Sequence, residues 1–339
     1  MRESGDADGF LVCKPPVECL IGGPEARTLT MLIYSHPVCW KHENENDVML
    51  PHPERPERLD AVMAAIDRLP PVRYRRLEPP LADKVDYELA HDPRYVDAIF
   101  RQAPKGHNPL RVDGDTSLNQ YTLEASRRVV GGAMDAVDRV LAGPDRRAFL
   151  ATRPPGHHAA PCRPAGFCVF NNVAIAAYHA VRHHGLERVA IVDFDVHHGD
   201  GTEQIVANSA PVHLFSSFQH PFYPYSGIPP LADNCHPVPL ENLTDGEGFR
   251  RAIRDSGWFD TLAEFQPQLL LFSAGFDAHK QDLLGGLLLL EEDFAWITRE
   301  AIAAAGGDDL PVVSLLEGGY DLQALEDSVL AHLQALDAG

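Results

Sequence analysis

The 339-residue chain is poor in positive charge: Lys and Arg total 29 against 49 Asp and Glu, a formal net charge of −20. A nucleic-acid binder needs a basic footprint, and an anionic membrane recruits basic segments, so neither is an expected partner. No stretch approaches the run of about 20 apolar residues that spans a bilayer. Residues 1–9 hold no basic segment followed by an apolar one, so no standard signal peptide is expected. The six cysteines, Cys13, Cys19, Cys39, Cys162, Cys168 and Cys235, form no C-x-x-C pair, which leaves a zinc ribbon without support. A chain of this length does not need disulfide staples, and a reduced, cytoplasmic protein is the expectation. Gly-x-Ser-x-Gly and P-loop sequences are missing as well, so nothing suggests a covalent serine route or P-loop phosphate chemistry.

What is present can build a large core: 45% of residues are hydrophobic and 23% charged, which excludes wholesale disorder. Residues 1–28 mix Gly, Pro and charge without a period and read as a loosely ordered extension to one domain over 29–339. Apolar, β-rich runs at 30–34, 147–151, 188–192, 212–215, 268–272 and 311–316 alternate with helical patterns at 57–69, 122–141, 172–184, 247–265, 291–305 and 322–336. Continuous runs suit strands covered on both faces. The alternation predicts a single-domain α/β fold, a central and mainly parallel sheet flanked by helices.

The chemistry follows the strands. Thr152-Arg-Pro-Pro-Gly-His157-His158 comes after Ala151, and Asp193-Phe-Asp195-Val-His197-His198-Gly-Asp200-Gly201 after Val192. Ser216 and Ser217 follow Phe215, Ser273-Ala-Gly-Phe-Asp277 follows Phe272, and Glu317-Gly-Gly-Tyr320-Asp321 follows Leu316. Open parallel sheets bind ligands outside the carboxyl ends of their strands, so one geometry gathers these five tails.

Asp193, Asp195 and His197 are spaced by two, and in extended backbone they share a side. Converging carboxylates without a basic partner are costly unless a cation sits among them. Asp195 and His197, with Asp277 from another strand end, make a ligand set for zinc that leaves a position open; iron(II), manganese or cobalt also suits such donors. One of His157 and His158 can serve as general base toward an attacking water while the other holds charge or orients. Their second ring nitrogens need partners, for which Asp193 and Asp200 are candidates. Tyr320, released by two glycines, fits an oxyanion donor. Together these parts describe metal-assisted amide hydrolysis. His183 and His184 end a predicted helix and read as surface groups suited to its negative end. His42, His52, His91, His107, His220 and His236 read as structural or solvated.

Five motifs resemble the histone deacetylase superfamily: Arg153-Pro-Pro-Gly-His-His-Ala159, Gly166-Phe-Cys-Val-Phe-Asn-Asn172, Asp193-Phe-Asp-Val-His-His-Gly-Asp-Gly-Thr202, Ser273-Ala-Gly-Phe-Asp-Ala-His279 and Glu317-Gly-Gly-Tyr-Asp-Leu322. His52-Pro-Glu-Arg-Pro-Glu-Arg58 matches the superfamily's N-terminal signature, and the likeness, nearest to class II and bacterial acetylpolyamine amidohydrolase-like members, runs over about residues 30–335. It implies an arginase/deacetylase fold and one catalytic zinc on Asp195, His197 and Asp277. It also implies removal of acetyl groups from lysine side chains of proteins or from small polyamines. By resemblance His158 is the base of the histidine pair and Tyr320 the transition-state phenol. Potassium is implied near Asp193, Asp195, His197, Ser216 and Ser217. By the same resemblance Gly166, Phe167 and Tyr223 fall where the superfamily lines its acyl tunnel, with Leu284 near the rim and Asp115 matching a rim aspartate that grips the substrate backbone or amine.

Three places depart from the superfamily pattern: Glu43-Asn-Glu-Asn-Asp-Val48, Phe218 where histidine is common, and Pro224-Tyr-Ser-Gly227, whose bulky Tyr225 is placed near the tunnel either to narrow the mouth or to alter the acyl range. Two other functions compete, an arginase-like ureohydrolase with two manganese ions and a non-catalytic acyl-amine sensor. A homo-oligomer is compatible with the sequence.

Overall fold

The computed structural model describes residues 30–45 and 51–338. The expected extension over 1–28 lies outside the described residues, as does part of the departure at 43–48. Among the described residues the main sheet has eight strands. Across the sheet they run Tyr74–Leu77, Met31–Tyr34, Arg147–Leu150, Val312–Leu316, Leu269–Ala274, Val189–Asp193, Val212–Gln219 and Cys235–Leu240. Every ladder between neighbours is parallel. A small antiparallel pair, Leu110–Arg111 with Ser117–Leu118, stands apart.

Alternate strand residues feed two cores, as the period of two requires. Ile33, Phe149, Val192, Phe215, Leu270, Phe272 and Val312 pack against helices Glu57–Asp67, Glu291–Ala305 and Leu322–Asp337. Leu32, Leu150, Ile191, Leu214, Leu271 and Val313 pack against Thr122–Ala142 and Asn172–His184. The central strands therefore read as unbroken apolar runs because both of their faces are covered.

The two edge strands lay outside the predicted set, for a common reason. Tyr74–Leu77 has exposed Arg75 and Arg76, and Cys235–Leu240 contains Pro237 and Pro239. Proline and exposed charge are tolerated where one side of a strand has no partner, so edge strands carry no apolar run to detect. The expected helix at 247–265 is two helices, Gly246–Asp255 and Trp258–Phe265. Gly257 breaks it at φ +77°, a left-handed conformation that glycine adopts without strain. Helix Pro93–Gln102, capped by Asp92 accepting from the Arg94 N–H, was also outside the predicted set.

The strand order fixes where a ligand sits. Val189–Asp193 and Leu269–Ala274 are adjacent, with Asp193 opposite Ser273. From the first the chain continues outward to Val212–Gln219; from the second it continues the other way to Val312–Leu316. Connections that diverge open a crevice at the carboxyl ends of the two strands.

Candidate active site

Asp195, His197 and Asp277 meet in that crevice. His197 Nδ1 lies 3.0 Å from Asp195 Oδ1 and 3.2 Å from Asp277 Oδ2. The other carboxylate oxygens are held by backbone: Gly318 N–H donates to Asp195 Oδ2 at 2.9 Å and Val196 N–H to Asp277 Oδ1 at 2.9 Å. Asp277 Oδ2 is buried and accepts no hydrogen bond. An added Cβ at Gly318 would stand 2.2 Å from that oxygen and 2.5 Å from Asp195 Oδ2, so glycine is needed for the loop to close over the carboxylates. Burial and the Asp195 charge push the Asp277 carboxyl up to about 7. Burial opposes a charge on His197, but its contacts with Asp195 and Asp277 prevail and raise it to about 10. Buried carboxylates that cannot comfortably ionise together, with a free oxygen between them, fit a divalent cation.

The two histidines of the Pro-Pro-Gly loop sit beside this centre with rings 4.1 Å apart. Each finds its own carboxylate: His157 Nδ1 is 2.9 Å from Asp193 Oδ2 and His158 Nδ1 is 2.8 Å from Asp200 Oδ1. The rings are not equivalent. Burial disfavours a charge on His157, yet Asp193 and Asp195 outweigh it and hold its pKa well above the usual range. Burial and the neighbouring His157 press His158 down to about 4. Burial would raise the Asp200 carboxyl, but the bond to His158 holds it low, so Asp200 is ionised. A carboxylate has no hydrogen to give, hence His158 Nδ1 carries the proton and Nε2 keeps its lone pair.

Tyr320 stands across the cavity, its ring 5.9 Å from that of Phe167. Burial and the charge of Asp277 keep its phenol protonated, well above the ordinary value. A cavity of about 240 Å³ is lined by Asp115, His158, Gly166, Phe167, His197, Phe222, Tyr223, Leu284 and Tyr320, with Leu283 at its edge. Gly166, at φ +53°, lies so close to His158 that a Cβ would be 2.4 Å from the ring. His52 packs edge-on against Phe167 at 4.6 Å and contacts the Asp115 carbonyl, which brings it to the rim, whereas His42 and His91 are buried in hydrogen-bonded positions. Tyr225 is 77% exposed and does not line the cavity; Phe222 and Tyr223 form the wall there instead. Phe218 is buried against His198, also away from the cavity. Ser216 pairs in register with Asp193 and bonds His198, and Ser217 is buried beside it.

Sequence reasoning assigned no role to several buried groups that hold these loops. Asp282 accepts the backbone N–H of Tyr320, Asp321 and Leu284. Glu317 accepts those of Gly156 and His157. Arg58 donates to the carbonyls of Glu317 and Gly319 and lies over the Tyr320 ring at 5.0 Å. Glu54 in turn binds Arg58 and Arg153. Their signal in the sequence is weak because charge at a fully buried position is visible only after folding.

Fold and site together define an α/β protein with a carboxylate–imidazole centre at a sheet switch point. The histone deacetylase domain matches residues 52–336, and the chain belongs to that family. A probable deacetylase of Archaeoglobus fulgidus is 35% identical over 304 residues, 86% of this chain and 81% of the relative. The polyamine deacetylase HDAC10 of Homo sapiens is 34% identical over 331 residues, 92% of this chain and 47% of that protein. The crystal structure of the HDA15 HD domain superposes with a TM-score of 0.84 at 29% identity, covering 92% of this chain and 90% of that one. Among the described residues no helix is long and apolar enough to cross a membrane.

Proposed function

We propose that the chain is a zinc-dependent deacetylase that hydrolyses the amide of an acetylated amine, on a protein lysine or a polyamine, to free amine and acetate. The observation that carries this reading is the joint opening of His158, His197 and Tyr320 onto one cavity of about 240 Å³. A divalent cation on Asp195, His197 and Asp277 would supply carbonyl polarisation and a more acidic attacking water.

The chain's own groups do the rest. Neutral His158 takes the water proton at Nε2, with Asp200 steadying the charge that results. His157, charged against Asp193, offsets the negative centre and holds the pair in place. The Tyr320 phenol, kept protonated, donates to the oxygen on which negative charge develops. The proton held by His158 then passes to the departing amine. Gly166, Phe167, Tyr223 and Leu284 wall the slender alkyl chain, and the exposed carboxylate of Asp115 suits an amine or a backbone N–H at the rim. Potassium near Asp193, Asp195, His197, Ser216 and Ser217 belongs to the same reading, supported by the register of Asp193 with Ser216.

The test is turnover of acetyl-lysine peptides and acetylpolyamines, compared by kcat/KM with and without a chelator. Activity is expected to vanish on chelation and return with zinc. Activity that survives complete metal removal overturns the proposal.

A further inference from the structure

A second trio of ligating side chains lies far from the cavity, between two helices of the outer layer. Helix Thr122–Ala142 contributes Asp138, and the last turns of Asn172–His184 contribute His179 and His184. His179 Nε2 is 2.7 Å and His184 Nε2 2.6 Å from the same atom, Asp138 Oδ1. The three ligand atoms lie within 4.8 Å of one another, as do those of Asp195, His197 and Asp277. Asn172–His184 begins at the catalytic loop, where Asn171 holds the His157 carbonyl, and runs back along the sheet to the amino end of Val189–Asp193. The trio therefore lies at the far end of that helix from the cavity.

Sequence alone reads His183 and His184 as surface imidazoles at the negative end of a helix. The geometry asks for more. Two imidazole nitrogens converge on one carboxylate oxygen, and a third ring, His183, stacks on His179 with centroids 4.7 Å apart. One divalent ion at that point offers a single centre that both converging rings and the carboxylate can bind. Two nitrogens and one oxygen suit the borderline ions, zinc above all, over the oxygen-seeking calcium and magnesium.

We propose that Asp138, His179 and His184 bind a second zinc-class ion that clamps helix Thr122–Ala142 to helix Asn172–His184, independently of catalysis. It is the weaker of the two sites. His179 Nδ1 is buried without a hydrogen-bond partner, so the ring lacks the acceptor that usually strengthens an imidazole ligand. Half-exposed Asp138 and exposed His184 leave the ion open to exchange with solvent.

The experiment is zinc titration of the metal-free full chain by calorimetry and by bound-metal analysis, alongside Asp138→Asn, His184→Ala and Asp277→Ala. The wild type is expected to take up one tight and one weaker ion. Asp138→Asn and His184→Ala should each lose only the weaker ion and keep deacetylase turnover and the far-UV spectrum. Asp277→Ala should lose only the tight one. Saturating the weaker site should raise Tm in the wild type and leave both surface variants unmoved, because an ion bound only by the folded state stabilises it. A wild type that binds a single ion overturns the proposal. So does a second ion that survives both surface variants, which would instead indicate a metal pair at the catalytic centre. The result does not depend on which acyl amine is the substrate.

Discussion

Asp282 Oδ2 accepts the backbone N–H of Tyr320 at 2.5 Å. The same oxygen takes Asp321 N–H at 3.1 Å, and Oδ1 takes Leu284 N–H at 2.9 Å. One buried carboxylate thus joins the backbone at Tyr320 to the loop carrying Leu284, both of which line the cavity. Asp282→Ala leaves three backbone donors without this acceptor. A loosened phenol is expected to lower kcat on the order of 10²-fold, the scale of a misplaced catalytic group. Steady-state kinetics with a parallel zinc measurement check it: zinc content should stay level, and an unchanged kcat removes the positioning role.

Tyr320→Phe deletes the hydroxyl and keeps the ring against Phe167 and Arg58. The expected loss is about 10²–10³ in kcat, the scale of one oxyanion donor, with little change in KM. Wild-type turnover in this variant would exclude the phenol from the chemistry.

The two histidines are expected to separate by role. His158→Ala should lower kcat by roughly 10²–10⁴ through loss of the base. His157→Asn, which removes the charge facing Asp193, should also impair turnover but keep a rise of rate with pH, shifted upward because the His157 charge no longer presses His158 down. PH–rate profiles of the two variants decide; identical profiles would contradict the division of labour.

Glu54 is fully buried between Arg58 and Arg153. Glu54→Gln leaves two buried guanidinium groups without their counter-charge. A cost of about 3–5 kcal/mol is expected, the range for breaking a buried ion pair from one side. Urea unfolding of variant and wild type measures it.

His91 and His332 are held neutral by burial, which lowers them to about 4 and about 3. Above their unfolded pKa of about 6.5 both states are neutral and stability is complete. As pH falls below that value the unfolded chain takes up protons that the fold refuses. Stability should drop by up to roughly 1.4 kcal/mol per pH unit per histidine until the folded pKa is reached. Urea midpoints at pH 7.5 and 5.5, compared between the wild type and His332→Gln, isolate this from the opposite contribution of His157 and His197; the variant should lose less stability on acidification, and equal losses would count against it.

The central strands were legible because sheet and helices cover both of their faces, leaving unbroken runs such as Leu269–Ala274. The edges were not, since Arg75, Arg76, Pro237 and Pro239 break the apolar pattern where half the strand is unpaired. Tyr225 shows a related limit. Its place in the chain suggested the tunnel mouth, but its side chain turns to solvent, and which neighbouring aromatic faces the cavity depends on the backbone path.

The sequence by itself determined the fold class and the donor chemistry. Apolar runs ending in Asp, His and Tyr specify a parallel sheet with a reactive edge, and the two-residue spacing puts Asp195 and His197 on one side. Only the tertiary structure decided the pairings. It brought Asp277 to Asp195 across adjacent strands, matched His157 with Asp193 and His158 with Asp200, and set Asp138 against His179 and His184. Residues remote in sequence meet according to strand order and helix packing, and local propensity does not encode either.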